Sequence, residues 1–588
     1  MRARAGVVLA AWIALVWAPH ASSATFTVTR TDDPVPGACD SDCSLREAVR
    51  AADAGSGSDT IVLPAGHFRL GIAGAGEDAA AKGDLDLTKS VTITGAGARA
   101  TVVDAMGIDR VFDVASGTTV LISDLTVTGG TVDGDGGGIQ NAGTLTLVHD
   151  AVVGNRIPGT NSGGGISSPG PSLTITQSTV AWNHGYNGGG IAFAHTLTVS
   201  DSTIAGNVAG GPGLNGNGGG ISGSGSSTLV VGSSTIADNQ AYNGSGSGGG
   251  ISTPSLTIKN SIVADNVSYL PNLSAAYADN CSATSVTSQG HNLSDGIDCS
   301  LGGAADQQGA DPRLGPLTAN GGPTDTEALP AGSPAIDHGA ECPATDQRGV
   351  SRPRGNACDI GAYEFAPPLA TTAPASSVAF GEATLNGTVD PSARETTARF
   401  EYGPTTSYGS TVALGIVGSG IGPVRISAAL VGLRQGVTYH YRLVATNAEG
   451  TNAGADQTFT TLDKTKPVLS LLRMLPGLFH RGNGATISFR LSEPATVTFR
   501  VDRVLHGVKR HGSCVVRKRR RHGRACTRYV PVPGNFAQEG VEGANSFHFD
   551  THVAGRELFP GAYRLRGRPR DGAGNVGKTA FAAFRVLR

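Results

Sequence analysis

The densest chemistry in this chain is a run of cations, VVRKRRRHGRACTR at residues 515–528. Arg517, Lys518, Arg519, Arg520, Arg521 and Arg524 lie between Cys514 and Cys526, and Arg528 follows just outside. Guanidinium groups at that density attract anionic polymers, because each fork matches a carboxylate, sulfate or phosphate. Tyr529 is the one aromatic neighbour, too little for the interleaved platform on which unpaired bases stack. Contact with extracellular polysaccharide or another cell-envelope polymer is therefore expected ahead of nucleic acid. The plainer alternative is a solvated hairpin, closed by a disulfide, whose charges face water.

Carboxylates suited to acid–base work are scarce where the chain is most regular. Residues 131–270 hold Asp133, Asp135, Asp150, Asp201, Asp238 and Asp265, no glutamate, and only Arg156 and Lys259 as cations. Glycoside hydrolysis requires two carboxyl groups facing one bond, and lyase chemistry requires a cationic base beside calcium-bound carboxylates. Asp133 and Asp135 in TVDGDGGGI stand at i and i+2 and suit a shared calcium ion; a polar turn is the plainer reading. Asp201, Asp238 and Asp265 recur at comparable places in a repeat, which favours a ladder or surface role over one active site. His149, His184 and His195 occupy different repeat positions and form no acid–base pattern. No Ser/His/Asp or Cys/His arrangement stands out. GAGAR at residues 95–99 lacks the Lys-Ser/Thr of a phosphate loop. No catalytic, cofactor-binding or metal-binding residue is expected, calcium at Asp133 and Asp135 being the alternative.

Residues 1–24 read as a secretory leader, with Arg2 and Arg4 as its basic end, residues 6–17 apolar, and Ser22, Ser23 and Ala24 as a cleavage site. Export leads to an oxidising compartment, and the 8 cysteines fall into close pairs. Cys39 with Cys43, Cys281 with Cys299, Cys342 with Cys358 and Cys514 with Cys526 are the disulfides that proximity predicts. Zinc is the rival, but no CxxC pair or matching histidine spacing is present. No later apolar run is long enough to cross a bilayer, so a secreted protein is expected, soluble or held non-covalently at the cell surface. Charge is uneven: residues 464–588 carry 24 Lys/Arg against 7 Asp/Glu, and the remainder 21 against 40. An acidic body thus precedes a basic tail domain.

These groups must be positioned by a repeat. GGGI returns five times, closing at Ile139, Ile166, Ile191, Ile221 and Ile251, at spacings of 27, 25, 30 and 30. Each unit ends on an asparagine: Asn155, Asn183, Asn207, Asn239 and Asn266, spaced 28, 24, 32 and 27. Such a period signals a solenoid. Alternation in SLTIT and TLTVS sends Leu and Ile or Val inward and Ser or Thr outward. Three apolar patches per unit predict three short strands per coil, with aliphatic ladders inside and an asparagine row at one bend. Glycine suits the turns through its free backbone and the close approach it permits. Leu85 to Asn266 gives roughly seven coils at this spacing.

Other segments carry family resemblances. Ser44 and Glu47 form a capping box for a helix over residues 45–52, and CSLREA at residues 43–48 resembles the motif of that name in secreted bacterial proteins. There it precedes a repetitive β region, and Arg46 and Glu47 are read as cap and surface residues. GPLTANGGPTDTEALPAGSPAIDHG and DQRGVSRPRGNACDIGAYEF resemble the choice-of-anchor Q region, which implies surface association. Leu433, Tyr439, Tyr441, Ala445, Asn447 and Gly450 resemble the closing strands of fibronectin type III domains, with Tyr439 placed as a tyrosine-corner residue. ATISFRLSEPATVTFRVDR and the final strands resemble Ig-like modules of exported bacterial proteins, with DGAGN at residues 571–575 a turn.

The expected fold is all-β: a right-handed parallel β-helix, as in pectate lyases, followed by two β-sandwich domains. The expected division is leader 1–24, CSLREA cap 25–60, β-helix 61–270, its C-terminal region 271–366, a fibronectin type III-like domain 367–462 and a basic Ig-like domain 463–588. The expected function is a secreted, surface-associated, non-catalytic binding scaffold for carbohydrate or envelope polymers. A lyase or hydrolase of acidic polysaccharide is the alternative.

Overall fold

The repeat alternates Thr with Leu, Ile or Val, and these residues form short strands that stack in parallel. The computed structural model describes residues 23–55, 57–211, 213–243, 247–270, 276–516 and 523–588. Arg517, Lys518, Arg519, Arg520 and Arg521 lie outside the described residues, as does nearly all of the expected leader. In the first row of strands, Thr144–Val148, Ser172–Thr176, Thr196–Ser200 and Thr228–Gly232 pair residue on residue. Leu145, Leu173, Leu197 and Leu229 therefore form one buried ladder, and Leu147, Ile175, Val199 and Val231 another. Burying each such side chain contributes about 1.5–3 kcal/mol, so the apolar interior drives the stack.

A second row holds Ile139–Asn141, Ile166–Ser168, Ile191–Phe193 and Ile221–Gly223, and joins the first through Ile251–Lys259, which spans both. A third row, in a separate sheet, includes Thr126–Thr128, Ala151–Val153, Thr179–Ala181, Thr203–Ala205, Thr235–Ala237 and Ile262–Ala264. The result is a parallel β-solenoid of about 8 turns. Parallel pairing starts before and runs past residues 61–270: Thr25–Thr27 lies on Asp59–Val62, and Cys281–Ser288 on Ile251–Lys259.

The asparagines form a continuous interior ladder. Asn155, Asn183, Asn207, Asn239 and Asn266 each donate from Nδ2 to Oδ1 of the next asparagine at 2.9–3.0 Å, Asn280 closing the row. The same Oδ1 atoms accept the backbone N–H of the preceding asparagine. A parallel row of serines sits at another bend, where Ser178, Ser202 and Ser234 pass backbone N–H bonds to the hydroxyl of the next coil.

The glycine triplets follow from these ladders. The first of each, such as Gly163 at φ +77 or Gly218 at φ +62, adopts the left-handed conformation that glycine favours. The third lies against the asparagine row: a Cβ on Gly190 would meet Gly220 O at 2.7 Å and Asn207 Cγ at 3.0 Å.

Ahead of the stack, helix Leu45–Ala54 starts on the expected capping box of Ser44 and Glu47. Arg46 and Glu47 are not surface residues, however. Arg46 is 0% exposed, pairs with Asp33 at 2.8 Å and donates to the carbonyls of Gly83 and Asp84. The motif arginine thus locks the cap to the first coils. The expected disulfides Cys39–Cys43, Cys281–Cys299, Cys342–Cys358 and Cys514–Cys526 are all formed.

Two antiparallel sandwiches follow. The first sets Leu369–Ser376, Ala383–Asp390 and Val424–Leu430 against a five-stranded sheet containing Thr396–Gly403 and Thr438–Asn447. Tyr439 Oη accepts the N–H of Arg434 at 3.0 Å, as a tyrosine corner does. The second sets Leu469–Leu475, Ala485–Leu491 and Gly543–Phe549 against a seven-stranded sheet centred on Ala495–Arg510 and Gly561–Arg570. The outer half of Ala495–Arg510 pairs with Ser513–Val516 and Ala525–Pro531, forming a ribbon clipped by Cys514–Cys526.

Candidate functional site

The outward side of the third row is where the solenoid meets other chain segments. Thr179, Thr203 and Thr235 stand in register there, yet each is at most 1% exposed. Residues 318–364 cross this face as a strap and use the threonine hydroxyls as anchors. Thr179 Oγ1 donates to Asp325 O at 2.6 Å, Thr203 Oγ1 to Gln347 Oε1 at 2.6 Å, and Ala362 N donates to Thr235 Oγ1 at 3.1 Å. Leu329, Ala335, Ile360 and Tyr363 then pack on Ile262, Ala264 and Leu293.

The strap stops short of the earlier coils. Thr126–Thr128 and Ala151–Val153 keep partly exposed outward residues, and the uncovered face forms a cleft of about 320 Å³. Its floor is Thr126, Ala151 and Val153, and its walls are Arg99 and Asp325 on one side and Trp182 on the other. Arg99 and Asp325 pair at 2.7 Å, which fixes the strap edge to the solenoid. Trp182 is 52% exposed, and its indole lies over Gly206 of the next coil.

The backbone under Trp182 takes a left-handed bend. It sits at φ +55, at a bend where the neighbouring coils carry Gly154 at φ +68 and Gly206 at φ +65. A left-handed conformation costs a non-glycine residue roughly 1–2 kcal/mol; Asp238 and Asp265 adopt it at the same bend of later coils, so the exposed indole rather than the backbone sets Trp182 apart. Sequence reasoning passed over Trp182, although aligning VVGN, VAWN and IAGN puts an aromatic where flanking repeats carry glycine.

The carboxylates considered from sequence are dispersed. Asp133 accepts from Asn161 at 3.4 Å and Asp135 from Ser162 N at 2.6 Å, both as turn contacts between coils. Asp150 is fully buried and accepts backbone N–H bonds from Leu125 and Val148, and burial holds its carboxyl well above the usual range. Asp201 does not share a place with Asp238 and Asp265. It occupies the left-handed bend of His149 and Gln177, while the other two occupy the bend of Trp182. Asp201 lies six residues before the asparagine of its coil, whereas Asp238 and Asp265 directly precede theirs. Burial raises Asp201 to about 7 and Asp265 to about 6. Glu327 of the strap is 1% exposed, and burial with Asp238 and Asp265 nearby pushes its carboxyl well up. His149 bonds Gln177 across coils at 3.0 Å.

Two carboxylate trios escaped the sequence reading. Asp84, Asp86 and Asp113 bring oxygens within 4.8 Å of one another on adjacent coils, and so do Asp463, Glu493 and Asp571 in the last domain. Asp86 and Asp113 are direct register partners, a relation hidden because the early coils lack GGGI. Burial raises Asp84 to about 7 and Asp86 to about 6. Arg110 bridges Asp84 and Asp113, and Asp84 and Asp86 are only 4% and 5% exposed. A polymer has no access to carboxylates that covered. Among the described residues, no helix is long and apolar enough to cross a membrane.

No protein-family model matches the chain, and no curated protein matches it either. Among solved structures, the short form of the sensor domain of the anti-sigma factor RsgI4 from Pseudobacteroides cellulosolvens is similar over 16% of this chain and 96% of its own, at 21% identity and a TM-score of 0.15. The FN1–FN3 domains of chicken CNTN1 match over 38% of this chain and 67% of theirs, at 13% identity and 0.18. A segment of two fibronectin type III domains from chicken tenascin matches over 37% and 99%, at 14% and 0.16. Scores this low assign neither activity nor partner.

Proposed function

We propose that this protein is a secreted, modular binding scaffold whose solenoid holds an extended extracellular polysaccharide in the cleft beside Trp182. The observation that carries this reading is Trp182 itself, half-exposed on a left-handed backbone where adjacent coils use glycine. An exposed indole offers a sugar ring a flat apolar face, and Arg99, Thr126 and Asp325 offer hydrogen-bonding groups around it. Disulfide pairing supports an oxidising, extracellular location. The CSLREA, choice-of-anchor Q, fibronectin type III-like and Ig-like resemblances fit a surface-associated chain of this kind. Polysaccharide cleavage is the second reading.

The test is to incubate the chain with neutral and acidic polysaccharides, with and without calcium. Unsaturated products and new reducing ends are followed beside pull-down of intact polymer. Binding without cleavage is expected, weakened several-fold to about tenfold in Trp182→Ala. New ends or unsaturated products would replace the scaffold with an enzyme, and binding unaffected by Trp182→Ala would dismiss the cleft.

A further inference from the structure

A second polymer site lies on the last domain, apart from the solenoid cleft. Strand Gly561–Arg570 reads GAYRLRGRPR, with arginine at every second position from Arg564 onward. Strand alternation turns Tyr563 and Leu565 into the sandwich core and Arg564, Arg566, Arg568 and Arg570 to the opposite face. Across the pairing with Ala495–Arg510, Arg564 faces Asp502, Arg566 faces Arg500, Arg568 faces Thr498 and Arg570 faces Thr496. Same-face residues recur about every 6.8 Å along a strand, so the guanidiniums form a straight row roughly 20 Å long.

Only one end of the row is neutralised. Asp502, 2% exposed, pairs with Arg564 at 2.8 Å and Arg566 at 2.9 Å. Arg500, Arg568 and Arg570 are exposed and form no ion pair among the described residues. Arg500 and Arg566 are like charges placed directly opposite, an arrangement that destabilises a sheet. Arg566 Nε is moreover buried without a hydrogen-bond partner. These groups surround a cleft of about 400 Å³, with Thr498 and Thr579 at its sides. An anion bridging the guanidiniums would satisfy the exposed donors of Arg500, Arg568 and Arg570 and relieve the repulsion.

We infer that this face binds an extended acidic polysaccharide carrying carboxylate or sulfate groups. The arginine fork fits both groups, and the flanking threonines can bond sugar hydroxyls. Unpaired nucleic acid is less suited, because base stacking needs free aromatic faces. Here Arg564 occupies one face of the Tyr529 ring at 3.4 Å and of the Phe581 ring at 4.7 Å.

The test measures binding of the full chain to polygalacturonate, dextran sulfate, unmodified dextran and poly-dT single strands over a sodium chloride series. Polygalacturonate or dextran sulfate is expected to bind, with affinity falling as salt rises; their ranking separates carboxylate from sulfate. The variant Arg500→Gln/Arg568→Gln/Arg570→Gln is expected to lose about tenfold or more in affinity. Arg568→Lys/Arg570→Lys, which keeps charge and removes the forks, should fall between, and thermal melts establish that each variant is folded. Arg473→Gln/Arg490→Gln, exposed on the other sheet of the domain, should leave this affinity unchanged, and the triple variant should lose as much in a Trp182→Ala background as in the parent, separating this site from the proposed solenoid function. Unaltered binding by the triple variant would overturn the inference. So would tighter binding of poly-dT than of either acidic polysaccharide, or salt-sensitive self-association in place of polymer binding.

Discussion

Replacing Asn207 by alanine tests whether the asparagine ladder holds the coils together. Asn207 Nδ2 donates to Asn239 Oδ1 at 3.0 Å, Val180 O at 2.9 Å and Ala205 O at 3.2 Å. Its Oδ1 accepts from Asn183 N at 3.1 Å and from Asn183 Nδ2 at 3.0 Å. Alanine leaves the buried Asn183 N–H without its acceptor, a penalty of about 1–3 kcal/mol, and removes further bonds worth about 0.5–1.5 kcal/mol each. Asn183 Nδ2 retains Val152 O and Asn239 Oδ1 retains the Asn207 backbone N–H, so those losses are partial. The sum is about 4 kcal/mol, with a small cavity adding to it. Because coils contact only their neighbours, the damage should be local. Urea unfolding followed by circular dichroism should show a lower midpoint, and hydrogen exchange should accelerate around residues 180–240. Asn161→Ala, removing one 3.4 Å contact to Asp133, should stay within about 0.5 kcal/mol of the parent. Equal midpoints for the two variants would refute the ladder as a source of stability.

Two further predictions concern space and charge. Gly190→Ala places a methyl group 2.7 Å from Gly220 O, so it should cost about 1–3 kcal/mol by overpacking. Gly225→Ala, at φ +63 with nothing within 4 Å, should incur only the backbone cost of about 1–2 kcal/mol; thermal melts of the pair, with and without crowding at the site, check this. Asp201, raised to about 7 chiefly by burial, binds a proton in the folded state at pH values where the unfolded chain has released it. Its contribution to stability is thus fullest below the unfolded value near pH 4 and declines as pH rises through about 7. Asp201→Asn should stabilise the protein more at pH 8 than at pH 5, by about 2 kcal/mol; a gain independent of pH would refute the assignment.

Much of the solenoid was legible because its rules are local and repeated. The alternation in SLTIT and TLTVS sets inward and outward faces, the terminal asparagines mark one bend, and the close cysteine pairs close small loops. The helix cap at Ser44 and Glu47 was legible for the same reason. The site residues were harder to see. Asp86 and Asp113 belong to coils whose sequences lack the GGGI marker, and Arg500 and Arg566 become neighbours only through strand pairing.

By itself, then, the sequence determined the parallel stack, its aliphatic and asparagine ladders and the four disulfides, because period and spacing act within one or two coils. Only the tertiary structure decided which outward faces stay open. Thr179 and Thr126 read alike in sequence, yet the strap covers one and spares the other, through a bond spanning 146 residues to Asp325. Arg46, surface-like by composition, is buried by contacts reaching 37 and 38 residues away. Such pairings depend on where chain segments return in space, a matter of packing and buried hydrogen bonds that residue spacing does not encode.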